Sequence, residues 1–245
     1  MIVIAHRGAS AVAPENTLAA FREAVRVGAD LIELDIRLSR DGEVVVFHDR
    51  DLSRTSDGTG PVEDKTLAEL KRLDAGSHFS EDFTGERIPT LEEVIQDLLP
   101  GRIGLCIELK IDKGREEIRT ELVDRALELL ERTRFKERVI LASFDRDSLR
   151  ISKACRPEIQ TGLIFNKDEV WTECAEEGYA GIDVLSARWN IVTASRLRAA
   201  HRGGRKVIVW TIDRDMELDR VLPLGVDGIA SNNPEWLIEA LKSNQ

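Results

Sequence analysis

Leu31-Ile32-Glu33-Leu34-Asp35 is a short apolar run that carries two carboxylates. In a strand, residues i and i+2 face the same side, so Glu33 and Asp35 project together. Ahead of this run stands a segment with helical spacing, Thr17–Val27, with Leu18, Phe21 and Val25 on one face and Asn16 as its expected N-cap. Ahead of that lies a further apolar run, Ile2-Val3-Ile4-Ala5-His6. Strand, helix and strand in this order make the repeating unit of a parallel sheet.

The unit recurs. Apolar, β-branched runs begin near Ile2, Leu31, Gly104, Val139, Gln160, Gly181, Lys206 and Gly228. Further helical segments are expected at Glu116–Glu131, Thr193–Arg202 and Pro234–Leu241. Eight alternations predict an α/β fold of the closed (β/α)8 TIM-barrel type. A doubly wound open sheet is the alternative, but it rarely needs eight regular repeats. A chain of 245 residues suits one such domain, spanning 1–245.

The interval from Leu31 to Gly104 is much longer than the others. It holds a strand-like run, Glu43–Phe47, after an Asp41-Gly42 turn signal. A Gly-, Ser- and Asp-rich loop, Thr55–Gly60, and a short helical piece, Thr66–Leu73, follow. Residues 49–87 read as an insertion after the second strand. Loops that follow barrel strands lie on the catalytic face, which favours a lid or pocket wall over a mere surface excursion.

Composition narrows the function. The net charge of −10, from 35 basic and 45 acidic residues, argues against nucleic acid as the main partner and against stable association with an anionic membrane. A locally positive pocket for a small anion stays compatible with it. No basic leader and no apolar stretch near membrane-spanning length is seen. Cys106, Cys155 and Cys174 are odd in number and unpatterned, which fits a reducing compartment. A cytoplasmic protein is expected. Charged residues at 33% with six Asn and three Gln hint at a thermophilic source.

Glu33 and Asp35 are joined by a third carboxylate on the next barrel strand, in Cys106-Ile107-Glu108-Leu109-Lys110. Three inward carboxylates repel one another and lose hydration. A divalent cation resolves that cost, and oxygen ligands point to Mg²⁺ or Ca²⁺ rather than Zn²⁺. A structural salt-bridge layer with Arg37 and Lys110 is the other reading. His6-Arg7-Gly8 follows the first strand and His48 ends Val44–Phe47, so two imidazoles could share proton transfer. Arg7 suits a phosphate oxygen or a surface ion pair. Trp210, closing Lys206-Val-Ile-Val-Trp210, is either plain core or an apolar wall for a substrate. His78 and His201 lack such company and read as structural or surface residues. Glu15 has no role evident from physics alone.

These fragments resemble the glycerophosphodiester phosphodiesterase family over essentially the full length. The likeness rests on His6-Arg7-Gly8, Pro14-Glu15-Asn16-Thr17, Glu33-Leu34-Asp35, His48-Asp49, Leu52-x-Arg54-Thr55, Asp57-Gly58 and Leu73-Asp74-Ala75-Gly76. It continues through Ile88-Pro89-Thr90-Leu91-Glu92-Glu93, Glu108-Leu109-Lys110 and Val209-Trp210-Thr211. The resemblance implies a barrel enzyme that hydrolyses glycerophosphodiesters, small-molecule substrates, to glycerol 3-phosphate and an alcohol. By it, Glu33, Asp35 and Glu108 match ligands of one divalent ion, and His6 and His48 match the acid and base. Arg7 and Lys110 match phosphate-contacting cations, and Trp210 the glycerol-side wall. Two departures stand out. Asp227-Gly-Ile-Ala-Ser-Asn-Asn-Pro234 differs from the usual Asp-Gly-Ile-Ile-Thr-Asp-x-Pro, and Asp213 stands where Asn is common. A lysophospholipase D and a non-catalytic ligand-binding barrel are the competing functions.

Overall fold

In the computed structural model β1 (Ile2–His6) lies between two parallel partners, and this closes the sheet. The description covers residues 1–98, 100–175 and 181–244, with backbone alone for 172–175, so the side chain of Cys174 lies outside it. From β1 the chain passes through α1 (Leu18–Val27), β2 (Leu31–Leu38), β3 (Val44–Val46), α2 (Leu67–Leu70) and α3 (Leu91–Leu98). It continues as β4 (Gly104–Leu109), α4 (Arg119–Thr133), β5 (Val139–Ser143), α5 (Arg146–Cys155), β6 (Gln160–Phe165) and α6 (Asp168–Ala175). The last elements are β7 (Val184–Arg188), α7 (Ala194–Arg202), β8 (Lys206–Trp210), α8 (Asp215–Val221), β9 (Gly228–Ser231) and α9 (Pro234–Ser243).

Ala5 is in register with Ile32 of β2 on one side, and Val3 with Ile229 of β9 on the other. Between them the order runs β2-β4-β5-β6-β7-β8-β9, all parallel. This is the closed eight-stranded (β/α)8 barrel expected from the eight runs. The run expected near Gly181 begins its strand at Val184. β3 is a ninth strand that pairs antiparallel with the end of β2, Ile36 opposite Val46.

Alternation along the strands divides the core. Ile32, Leu34 and Ile36 of β2 face outward and are fully buried against helix residues such as Phe21, Ala24 and Ile95. Burial of a side chain like Phe21 stabilises by on the order of 1.5–3 kcal/mol. The barrel interior is filled by Ile4, Cys106, Ile140, Ile164, Ile208 and neighbours. Inside residues 49–87, Leu52, Val62, Leu70 and Ala75 pack with Val45, Phe47 and Ile88 in a separate cluster.

The cap of α1 corrects one expectation. Thr17, not Asn16, is the N-cap: its backbone is extended and its hydroxyl accepts from the Ala20 N–H at 3.3 Å. Asn16 sits one residue earlier at φ 57, in the left-handed region, and its buried side chain points into the barrel mouth instead.

Candidate active site

β1 ends at His6 and the chain turns at once. Arg7 (φ 57) and Gly8 (φ 83) both adopt the left-handed conformation. Only glycine fits at position 8, because a Cβ there would stand 2.7 Å from the Ala20 Cβ and 2.9 Å from its carbonyl oxygen. This turn aims the Arg7 backbone N–H at Glu33 Oε2, which accepts at 2.9 Å.

Register brings the acidic residues to one level. His6 lies opposite Glu33, and Asp35 opposite Glu108. Glu33, Asp35 and Glu108 are all buried, and each offers an oxygen within 4.8 Å of the others. Asn16 donates to Asp35 Oδ2 at 2.8 Å. Asp35 Oδ1 is buried with no hydrogen-bond partner, although Lys110 Nζ stands at ion-pair range, 3.5 Å. Lys110 Nζ also donates to Glu108 at 2.7 Å. Of the alternative salt-bridge layer with Arg37 and Lys110, the Lys110 half therefore forms and Arg37 takes no part. Arg37 instead donates to Asp112 at 2.6 Å and to the His48 carbonyl at 2.8 and 2.9 Å.

Electrostatics separate the three carboxyls. Burial, reinforced by the Asp35 charge, pushes Glu33 up to about 8. Burial, opposed in part by Lys110, pushes Glu108 up to about 7. Burial alone would raise Asp35 too, but Lys110, Arg7, His48 and the Asn16 hydrogen bond hold it below the usual carboxylate range. Crowding and burial thus raise Glu33 and Glu108 while the neighbouring cations keep Asp35 low. The unpartnered Asp35 Oδ1, the three convergent oxygens and the lack of nitrogen or sulfur donors among them fit a hard divalent ion.

The two histidines flank this cluster. His6 Nδ1 is 2.7 Å from Asn232 Oδ1, and its Nε2 is 3.9 Å from Glu33 Oε2. His48 Nδ1 is 2.5 Å from Asp49 Oδ1. An ionised carboxylate only accepts, so the His48 proton sits on Nδ1 and its Nε2 is left free. Burial lowers the pKa of both rings. Arg7 adds to this at His6, while at His48 the lowering by Lys110 and Arg7 is opposed by Asp35.

Cations reach the site through a chain of ion pairs. Arg7 pairs with Glu15 at 2.9 Å, and Glu15 with Arg54 at 2.7 Å. Arg54 in turn bonds Asp49, the partner of His48. Arg7 Nε is buried, 3.5 Å from Asp35 Oδ2, and lacks a hydrogen bond. Trp210 ends β8 with its indole N–H donated to the Ser186 carbonyl at 3.0 Å and its ring edge-to-face with Phe144 at 5.9 Å. His78 is exposed, and His201 pairs with Asp227 at 2.8 Å. Thus His6, Arg7, Glu33, Asp35, Glu108 and Lys110 are joined by direct contacts, and His48 is tied to them through Asp49, Arg54 and Glu15.

Four positioning residues were not legible in the sequence. Glu15 bridges two arginines, Asn16 holds Asp35, and Asn232 with Asp213 holds His6. The two departures from the family pattern, separated along the chain, meet here: Asn232 Nδ2 donates to Asp213 Oδ2 at 2.6 Å. Beside them an open cleft of about 510 Å³ is lined by His6, Arg7, Ser10, Glu15, Asp213 and Asn232.

Comparison with known proteins agrees with this architecture. Residues 6–236 match the Glycerophosphoryl diester phosphodiesterase family. A glycerophosphodiester phosphodiesterase of Caldanaerobacter subterraneus subsp. tengcongensis is 38% identical over 244 residues, 98% of each chain. One from Bacillus subtilis is 30% identical and covers 96% of this chain and 84% of its own. Among solved structures, an Oleispira antarctica phosphodiesterase in complex with the product sn-glycerol-3-phosphate superposes with a TM-score of 0.91. It is 33% identical, covering 99% of this chain and 97% of that one. A glycerophosphodiester phosphodiesterase of Thermotoga maritima gives a TM-score of 0.79 at 28% identity, covering 98% of both chains.

Proposed function

The chain belongs to the glycerophosphoryl diester phosphodiesterase family, and from that membership we propose how its residues divide the work. It is an enzyme that hydrolyses glycerophosphodiesters to glycerol 3-phosphate and an alcohol. The observation that carries the assignment of roles is the trio Glu33, Asp35 and Glu108, converging within 4.8 Å beside His6.

In this reading the trio holds one divalent ion, Mg²⁺ or Ca²⁺. Once bound, such an ion supplies Lewis-acid stabilisation to the phosphoryl oxygens. Arg7, with a buried Nε that lacks a hydrogen bond, and Lys110, with two donors beyond its Glu108 bond, bind the phosphate. His6 and His48 carry the protons. One takes the proton of the attacking nucleophile, either water or the glycerol 2-hydroxyl, as the new P–O bond forms, and the other returns a proton to the leaving alkoxide as the old bond breaks. A cyclic phosphate formed by the 2-hydroxyl is then opened by water with the same pair in exchanged roles. The Nε2 atoms of the two rings, that of His6 lying 3.9 Å from Glu33, suit those tasks. Trp210 forms the wall against the carbon face of glycerol, and residues 49–87 serve as a wall or lid that bounds the leaving group. Arg54 belongs to that segment and reaches Glu15 and Asp49, which supports the lid reading. Among the described residues no helix is long and apolar enough to cross a membrane. Residence in the cytoplasm is part of the same proposal, supported by the free thiols Cys106 and Cys155.

The deciding experiment measures release of glycerol 3-phosphate from glycerophosphocholine, before and after EDTA, with Mg²⁺ or Ca²⁺ added back. Release that EDTA abolishes and the ion restores is expected. Full activity in EDTA removes the metal from the reading, and no release at all removes the substrate assignment.

A further inference from the structure

We propose that Asp213, two residues removed from the reacting atoms, sets the tautomer of His6 through Asn232. The inference rests on the reading of His6 as a proton carrier, but its structural part stands on hydrogen-bond geometry.

Asp213 is the fixed point. Its Oδ1 accepts from the Asn232 backbone N–H at 2.7 Å and from the Ser231 hydroxyl at 2.9 Å. Its Oδ2 accepts from the Asn232 side chain at 2.6 Å. A carboxylate only accepts, so the atom of Asn232 that faces it must be the NH₂ group. The carboxamide oxygen is thereby turned the other way. There it meets His6 Nδ1 at 2.7 Å and the Ser10 hydroxyl at 2.9 Å. An amide oxygen also only accepts. The His6 ring must therefore donate from Nδ1, and in the neutral ring the lone pair is on Nε2, the nitrogen that faces Glu33.

The polarity of this chain is decided at one position. With Asp213→Asn, the new amide oxygen takes the backbone N–H of residue 232 and the Ser231 hydroxyl. Its NH₂ group then faces the NH₂ of Asn232. Turning Asn232 over relieves that clash but presents an NH₂ to His6 Nδ1, which must then accept. The proton moves to Nε2 and the ring can no longer take one there. A carboxylate-to-amide change that leaves a histidine in place in the wrong tautomer is known to cost several orders of magnitude in other enzymes. Exchanging both residues, Asp213→Asn with Asn232→Asp, reverses the donors and acceptors between 213 and 232 yet restores an acceptor opposite His6 Nδ1.

The test is ¹⁵N NMR of the histidine rings with Mg²⁺ present, near pH ~8 where imidazole is largely neutral, paired with steady-state kinetics on glycerophosphocholine. The wild type is expected to show His6 protonated on Nδ1. Nε2 protonation there overturns the proposal whatever the variants do. Asp213→Asn is expected to shift the proton to Nε2 and lower kcat by roughly 10²-fold with little change in KM. The double exchange is expected to return the Nδ1 proton and most of kcat. A role for Asp213 in packing alone would change stability without moving the tautomer, and that result sinks the idea. His6→Ala with undiminished kcat would instead refute the reading of His6 as a proton carrier, while the NMR result still decides the geometry.

Discussion

Asn16 grips Asp35 from two sides: its amide donates to Oδ2 at 2.8 Å and its carbonyl accepts from the Asp35 backbone N–H at 3.2 Å. The grip leaves Oδ1 as the oxygen without a hydrogen bond, 3.5 Å from Lys110 Nζ. Groups that orient a metal ligand typically account for about 10–100-fold in metal affinity. Asn16→Gly removes the grip while tolerating the left-handed backbone at φ 57. Calorimetric titration with Mg²⁺ or Ca²⁺ is expected to show affinity reduced by about that factor in a protein that stays folded. Unchanged affinity would mean that Asn16 acts only as a spacer before α1.

Removing carboxylates should affect the metal-free protein unequally. Glu33→Gln takes away a group whose ionised form the site disfavours, whereas Asp35→Asn strips Lys110 and Arg7 of their shared partner. Both variants are expected to lose activity. In EDTA only Glu33→Gln should melt at or above the wild-type temperature, with Asp35→Asn below it. Thermal denaturation of the three proteins side by side checks the order.

The same shift predicts a pH dependence. Glu33 moves from 4.5 to about 8 on folding, so the folded state binds its proton more tightly than the unfolded one. The stability this contributes is complete below 4.5 and is lost as pH rises through about 8. Glu108 acts the same way up to about 7. The histidines, lowered from 6.5, work in the opposite direction as pH falls below that value. The advantage of Glu33→Gln over wild type in EDTA should therefore widen from about pH 5 to about pH 8. An advantage that stays constant across that range would show that Glu33 ionises freely.

His6→Ala and His48→Ala are each expected to lower kcat by on the order of 10²-fold or more. The double variant should be little worse than either single one, because two groups acting on one transition state do not contribute additively. Losses that multiply in the double variant would separate their roles. Rapid quenching with a search for a cyclic 1,2-phosphate then distinguishes attack by the glycerol 2-hydroxyl from attack by water.

Specificity for the leaving alcohol should be loose. On the proposed roles, Arg7, Lys110 and the carboxylate trio engage the phosphate and Trp210 the glycerol, so the leaving alcohol meets only apolar contact, which discriminates by about 1–3 kcal/mol. Phe79 and Phe83, edge-to-face at 5.7 Å within residues 49–87, are the candidate outer wall. Choline, ethanolamine and glycerol diesters are expected to react at similar rates, and long-chain lysolipids poorly. A kcat/KM that favours lysophosphatidylcholine over glycerophosphocholine would overturn this and favour the lysophospholipase D.

Local pattern in the chain was enough for the barrel, but it left the carboxylates between a cation site and a salt-bridge layer, and the resemblance to a known family is what implied their roles. Period-2 spacing puts Glu33 with Asp35 on one face whatever the rest of the fold does, and recurring strand-helix units leave few topologies open. The motifs around His6, His48 and Glu108 were legible because each is short and contiguous. What the sequence left undecided is every relation that depends on contacts between distant segments. Thr17 caps α1, and Asn16 is thereby freed for Asp35; from sequence alone both residue types suit a cap, with Asn the stronger former. Glu15 became intelligible only when Arg7 and Arg54 closed on it from opposite sides. Asp213 and Asn232 come from the ends of neighbouring strands, and only closure of the sheet carries β9 alongside β1 so that Asn232 meets His6. Hydrogen bonds and charge interactions act over a few ångströms of space. They are therefore set by which strands lie side by side, and distance along the chain does not reveal them.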